Sequence, residues 1–89
     1  MARTRVHLLD ISTTGALMHH PDPPAPETLL EIMLGGFRLL ARVTRRDGNR
    51  VGVKFIVPLN ETQRDRLILG EIQALAHPLE CRPFHPRAA

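Results

Sequence analysis

The residues best suited to chemistry are Asp10, Ser12 and Gly15, which form a D-x-S-x-x-G pattern. The Asp10 carboxylate offers two acceptor oxygens, and the Ser12 hydroxyl can donate or accept a hydrogen bond. Gly15 lets the backbone turn or approach a ligand closely. Such a corner can hold the donor edge of a guanine or a phosphate. The alternative is a simple turn in which these side chains bond only their own backbone.

Two groups of residues have types that bind metal ions. His77, Cys81 and His85 have an H-x3-C-x3-H spacing, but prolines interrupt the segment and a fourth ligand is lacking. The neighbours His19 and His20 are expected to point their side chains apart from a loop. We therefore expect no metal site.

A basic cluster is predicted at one end of a hairpin, formed by Arg42, Arg45, Arg46 and Arg50. We interpret it as a solvated hairpin tip. The net charge of +3 is mild, and the only aromatic residues are three Phe. A stacking platform for nucleic acid is therefore not expected. Ser12 has no convincing general base beside it, so we expect no enzymatic activity.

The apolar pattern is that of β-strands from Arg5 to Phe55. Val51, Val53 and Phe55 are predicted to face inward on the last of these strands, after a turn at Asp47–Gly48–Asn49. The proline-rich residues 20–26 are predicted to be a loop. Asn60 and Gln63 then form a capping-box signal for a helix with Ile68, Ile72 and Leu75 on one face.

The predicted architecture is mainly β, a small antiparallel barrel of about five strands, closed or nearly closed, with one C-terminal helix. We expect one domain over residues 1–76 and a flexible tail over residues 77–89, because prolines follow the helix. The chain has 89 residues and a single cysteine, so an internal disulfide is excluded. No apolar run is long enough to span a membrane, and no secretory signal is recognised, which predicts a cytoplasmic protein.

Two motifs together resemble the PilZ family. D-x-S-x-x-G is followed by a proline-rich loop, by two strands and then by Val51-Gly52-Val53-Lys54-Phe55, which matches the V/I-G-V-x-F strand of that family. PilZ domains are six-stranded barrels with a C-terminal helix, and many bind the bacterial second messenger cyclic di-GMP. The resemblance implies a signalling domain in which Asp10, Ser12 and Gly15 line the guanine-binding corner.

The chain departs from the family at its other binding motif, R-x-x-x-R, whose arginines contact phosphate and guanine. Arg3 and Arg5 are spaced R-x-R and run directly into Asp10, so the role is not assigned to them. This leaves an incomplete site, for which we expect weak or absent cyclic di-GMP binding. Either the arginines lie upstream of Met1 or come from another chain, or the domain is an interaction module that binds no nucleotide. A missing first strand further predicts an open sheet edge that favours self-association or a protein partner.

Overall fold

The computed structural model describes residues 4–34, 37–74 and 79–84 as a six-stranded antiparallel barrel with one helix. In chain order the elements are β1 Thr4–Ile11, β2 Gly15–His19, β3 Leu29–Leu34, β4 Phe37–Asp47, β5 Arg50–Phe55, α1 Glu61–Ala74 and β6 Leu79–Pro83. The barrel closes in the order β1-β2-β5-β4-β3-β6. The predicted mainly β barrel is confirmed, with six strands instead of about five.

The barrel interior is almost entirely aliphatic. The predicted inward face of β5 is confirmed, since Val51, Val53 and Phe55 are all buried. Gly48 has a φ of 57° in the turn between β4 and β5, a conformation that glycine adopts without penalty. Among the described residues the other buried apolar side chains are Val6, Met18, Leu30, Ile32, Ala41, Val43, Leu59 and Cys81.

The last strand, β6, lies within the segment that was predicted to be a flexible tail. That prediction is wrong for residues 79–83, because β6 pairs with β1 on one side and with β3 on the other. Cys81 faces the interior and is 1% exposed. The prediction was wrong because the prolines after the helix were taken to exclude regular secondary structure. Pro83 occupies the last position of β6, where a missing N–H affects only the end of the strand pairing.

Closure by β6 also overturns the prediction of an open sheet edge. The described strands each have a neighbour on both sides, so self-association through an unpaired edge loses its structural basis. Glu31 on β3 and Arg82 on β6 form a cross-strand pair at this junction. The Arg82 Nη2 lies 2.7 Å from the Glu31 Oε1, and the Glu31 side chain is 2% exposed. A buried carboxylate needs such a partner, because desolvation of an unpaired charge costs several kcal/mol.

The helix α1 begins as predicted. The Gln63 N–H donates to the Asn60 Oδ1 at 2.7 Å, and the Asn60 N–H donates to the Gln63 Oε1 at 3.0 Å, which completes a capping box. On the predicted apolar face Ile68 is partly exposed, and Leu75 lies outside the described residues. No helix in the described part of the chain is long and apolar enough to cross a membrane.

The position of Cys81 inside the barrel predicts that its thiol is alkylated slowly in the folded protein. Burial raises the pKa of Cys81 to about 11 from 9.0. Because the thiolate is the reactive form, this shift alone lowers the rate of alkylation at pH 7.5 by about a hundredfold relative to the unfolded chain. Iodoacetamide labelling followed by mass spectrometry, in buffer and in denaturant, measures the ratio. Equal rates in the two conditions would mean that residues 79–83 are a tail after all.

Candidate functional site

The D-x-S-x-x-G segment forms the turn of the hairpin between β1 and β2. The Ser12 N–H donates to the Gly15 carbonyl at 2.9 Å. The Ser12 Oγ accepts from the N–H groups of Thr14 at 3.3 Å and of Gly15 at 3.2 Å. The simple-turn interpretation therefore describes what Ser12 does within the chain. Its side chain is nonetheless exposed, and its contacts with Thr14 and Gly15 hold the hydroxyl in one place at the surface.

A β-bulge in β1 determines where Asp10 lies. The pairing register with β2 shifts between Leu8 and Asp10, so that Leu9 is an extra, exposed residue. Strict alternation would have placed Asp10 on the same face as Val6, inside the barrel. The bulge instead turns Asp10 outward and Ile11 toward the core. Bulges commonly re-aim one side chain in this way.

One oxygen of the Asp10 carboxylate accepts a hydrogen bond from the neighbouring backbone. Its Oδ1 accepts from the Ile11 N–H at 2.9 Å. No partner of Oδ2 lies among the described residues. Because each carboxylate oxygen has two acceptor sites, most of the accepting capacity of Asp10 faces solvent.

Gly15 is required by the packing of two strands. It lies opposite Lys54 of β5. A Cβ atom at this position would collide with the carbonyl oxygen of Val53, which is backbone and cannot easily move aside. The sequence analysis expected a turn or a close approach of a ligand at Gly15. In the structure it is the β5 backbone that lies close to Gly15, and this contact holds the β1–β2 turn against the barrel.

These side chains line an open depression of about 150 Å³ on the outer wall of the barrel. Its lining consists of Asp10, Ile11, Ser12, Gly15, Ala16 and Leu17. The structure thus brings the three predicted site residues together at one surface. That they bind a ligand stays a prediction.

One cross-strand row continues from this depression over the outer wall. Asp10 of β1 lies opposite Leu17 of β2, Leu17 lies opposite Gly52 of β5, and Gly52 lies opposite Arg45 of β4. We call these four residues the outer row. A second bulge, at Thr44, turns Arg45 outward to complete it, and the Thr44 Oγ1 donates to the Gly52 carbonyl at 3.1 Å. Sequence reasoning missed the row, since neither bulge has a sequence signal.

The neighbours His19 and His20 lie in different surroundings. His19 pairs with His7 across β1 and β2, with ring centroids 6.3 Å apart. His20 is buried, and its Nδ1 accepts from the Asp22 N–H at 3.0 Å. Burial lowers the pKa of His20, which matches a neutral, accepting ring. Within the described ranges, no three His, Cys, Asp or Glu side chains are grouped to hold a metal ion.

The remaining candidates lie in different places. His77, His85 and Arg3 lie outside the described residues, while the Cys81 thiol faces the core. Arg5 is exposed on β1, opposite Glu80 of β6. It does not join the outer row.

Comparison with known proteins gives one finding. A family model described as PilZ domain matches residues 2–70, which is most of the chain. The match includes both D-x-S-x-x-G and the strand β5. No curated protein and no solved structure matches the chain.

Two glycines of the sheet should respond differently to substitution. Gly15→Ala is expected to lower the free energy of unfolding by about 1–3 kcal/mol, because the added methyl meets the Val53 carbonyl. Gly48→Ala should cost about 1–2 kcal/mol through its positive φ alone. Asparagine tolerates positive φ, so Gly48→Asn should recover stability and Gly15→Asn should not. Urea denaturation measures all four, and a Gly15→Asn variant as stable as the parent would contradict the collision.

Proposed function

The chain belongs to the PilZ domain family, and on that premise we propose that it is a non-enzymatic signalling domain that binds cyclic di-GMP at the outer row. The observation that carries the proposal is the shared depression of Asp10, Ser12 and Gly15 on the exposed wall of the barrel. The same three positions are those that the family resemblance assigns to the guanine-binding corner.

The chemistry of the corner suits a guanine. The Watson–Crick edge of guanine presents two neighbouring N–H donors, and a carboxylate presents two neighbouring acceptors. Asp10 is exposed and has accepting capacity left after its bond to the Ile11 N–H. The hydroxyl of Ser12 lies two residues away at the same depression and supplies a further polar contact. Leu17 offers an apolar side chain beside them, against which a flat base can rest.

The charge of the surrounding wall suits the phosphodiesters. Arg42, Arg45, Arg50 and Lys54 are all exposed on β4 and β5. Asp10, Asp47 and Glu27 are the nearby acidic residues, and Glu27 is paired with Arg42 at 3.8 Å. The wall therefore carries a surplus of positive charge, which raises the local concentration of an anionic ligand.

A second candidate function is docking on a protein partner without nucleotide. It is favoured by exposed large apolar side chains that lie just after β5 and on α1: Ile56, Val57, Ile68 and Leu69. Val57 is 75% exposed, the largest exposed fraction among these four side chains. This function becomes the preferred one if the chain binds no cyclic di-GMP.

The proposal predicts a titration that depends on the corner. Isothermal titration of cyclic di-GMP at low salt should show saturable binding. Asp10→Ala and Ser12→Ala should each weaken it by at least about tenfold, because each removes a hydrogen bond, and that of Asp10 is charge-assisted.

The matched control is Asp65→Ala, which removes a carboxylate from α1, where Asp65 is paired with Arg64 at 3.1 Å. This variant should bind like the parent. Absence of any saturable heat from the parent chain, or equal affinities for Asp10→Ala and the parent, would contradict the proposal.

A further inference from the structure

The four arginines of the basic cluster are not equivalent in the structure. Arg42 is paired with Glu27 at 3.8 Å, and the Arg46 Nη1 donates to the Pro23 carbonyl at 3.2 Å. The side chains of Arg45 and Arg50 have neither an ion pair nor a hydrogen bond with any described residue. The cluster, interpreted from the sequence as one solvated hairpin tip, therefore contains two arginines whose side chains have partners and two whose side chains have none among the described residues.

The two free arginines line one depression on the outer wall. It measures about 160 Å³ and is lined by Leu17, Arg45, Asp47, Arg50 and Gly52. Leu17 also lines the depression that holds Asp10 and Ser12. The two depressions are therefore neighbours that share one wall residue, and together they follow the outer row.

The side chain of Arg45 lies back over the sheet. Its Cγ is 3.2 Å and its Nε 3.4 Å from where a Cβ of Gly52 would be. The Arg45 side chain therefore lies over β5, one strand closer to Asp10 than β4. Since neighbouring strands are about 4.8 Å apart, roughly two strand spacings, or about 10 Å, separate this position from Asp10.

Arg50 reaches the same depression from β5. Arg50 is two residues from Gly52 on β5 and therefore faces the same side of the sheet. It lies opposite His19 of β2 and opposite Asp47 of β4. Asp47 is within the depression but forms no ion pair with either free arginine. Two unpaired guanidinium groups at one concave surface can bind an anion, because their planar N–H donors match phosphate oxygens.

We infer that Arg45 and Arg50 form a phosphate-binding subsite that holds a phosphodiester of the dinucleotide whose guanine edge lies at Asp10 and Ser12. The inference rests on the proposed function and names the source of the guanidinium contacts within this chain. Arg3 and Arg5, which do not match the family spacing, are then not needed for them.

The test is a set of single arginine variants titrated with cyclic di-GMP. Arg45→Ala and Arg50→Ala should each weaken binding by about tenfold, as expected for the loss of a charge-assisted hydrogen bond. Arg46→Ala is the matched control, because it removes the same charge from the residue next to Arg45, whose guanidinium contacts Pro23 instead. It should change the affinity by less than about twofold, the size of a screened, long-range effect.

A further variant tests the geometry and keeps the charge. Gly52→Ala places a methyl group against the Arg45 side chain, whose flexible end can move away without unfolding the sheet. Binding should weaken in Gly52→Ala, and the double variant Gly52→Ala/Arg45→Ala should lose no more than Arg45→Ala alone. Additive losses would mean that the methyl obstructs the ligand directly, and this would count against the placement of Arg45.

The outcomes separate the inference from the function on which it rests. Weakening by Ser12→Ala but equal affinities for Arg45→Ala, Arg50→Ala and Arg46→Ala would overturn the subsite and leave cyclic di-GMP binding in place. No binding by the parent chain would overturn both. Cyclic di-AMP, which shares the phosphodiesters but lacks the guanine edge, should bind more weakly and lose affinity with Arg45→Ala but not with Asp10→Ala.

Discussion

The structure depends on closure of the barrel by its last strand. β6 pairs with both β1 and β3, and it carries Cys81 into the core and Arg82 onto the buried carboxylate of Glu31. A carboxylate that is 2% exposed requires this partner, so the ion pair links the position of β6 to that of β3. With both sides of β1 paired, the sheet has no freedom to slip in register, since a shift by one residue would turn every core side chain outward.

The fixed register of the strands determines which side chains lie next to one another on the outer wall of the barrel. Four strands contribute one residue each to the row Asp10, Leu17, Gly52 and Arg45, and two bulges place the charged residues at its ends. The acceptor groups lie at one end and the free guanidinium groups at the other, with an apolar side chain and a glycine between them. A ligand with a guanine and a phosphodiester has the same order of groups, and this match is the basis of our proposal that the row binds a cyclic dinucleotide.

Much of the barrel was predictable from residue types, and the exceptions have physical causes. The inward face of β5, the turn at Gly48 and the capping box of Asn60 follow from local rules that the structure obeys. The strand β6 was missed because prolines were taken as strand breakers, although Pro83 lies at a strand end. The motif grouped Asp10, Ser12 and Gly15, and the structure places all three at one depression. The outer row was not, because a bulge depends on the pairing of two strands and leaves no periodic signal in one of them.

The most direct test of the outer row as a binding surface is an NMR titration of the ¹⁵N-labelled chain with cyclic di-GMP. The account predicts that the largest amide shift changes fall on residues 10–17, on Arg45 and on residues 50–54, while β3 and β6 change little. Shift changes concentrated on α1 and on Ile56 and Val57, or none at saturating ligand, would contradict it. Either of these results would favour the second candidate function, docking on a protein partner through the exposed apolar residues.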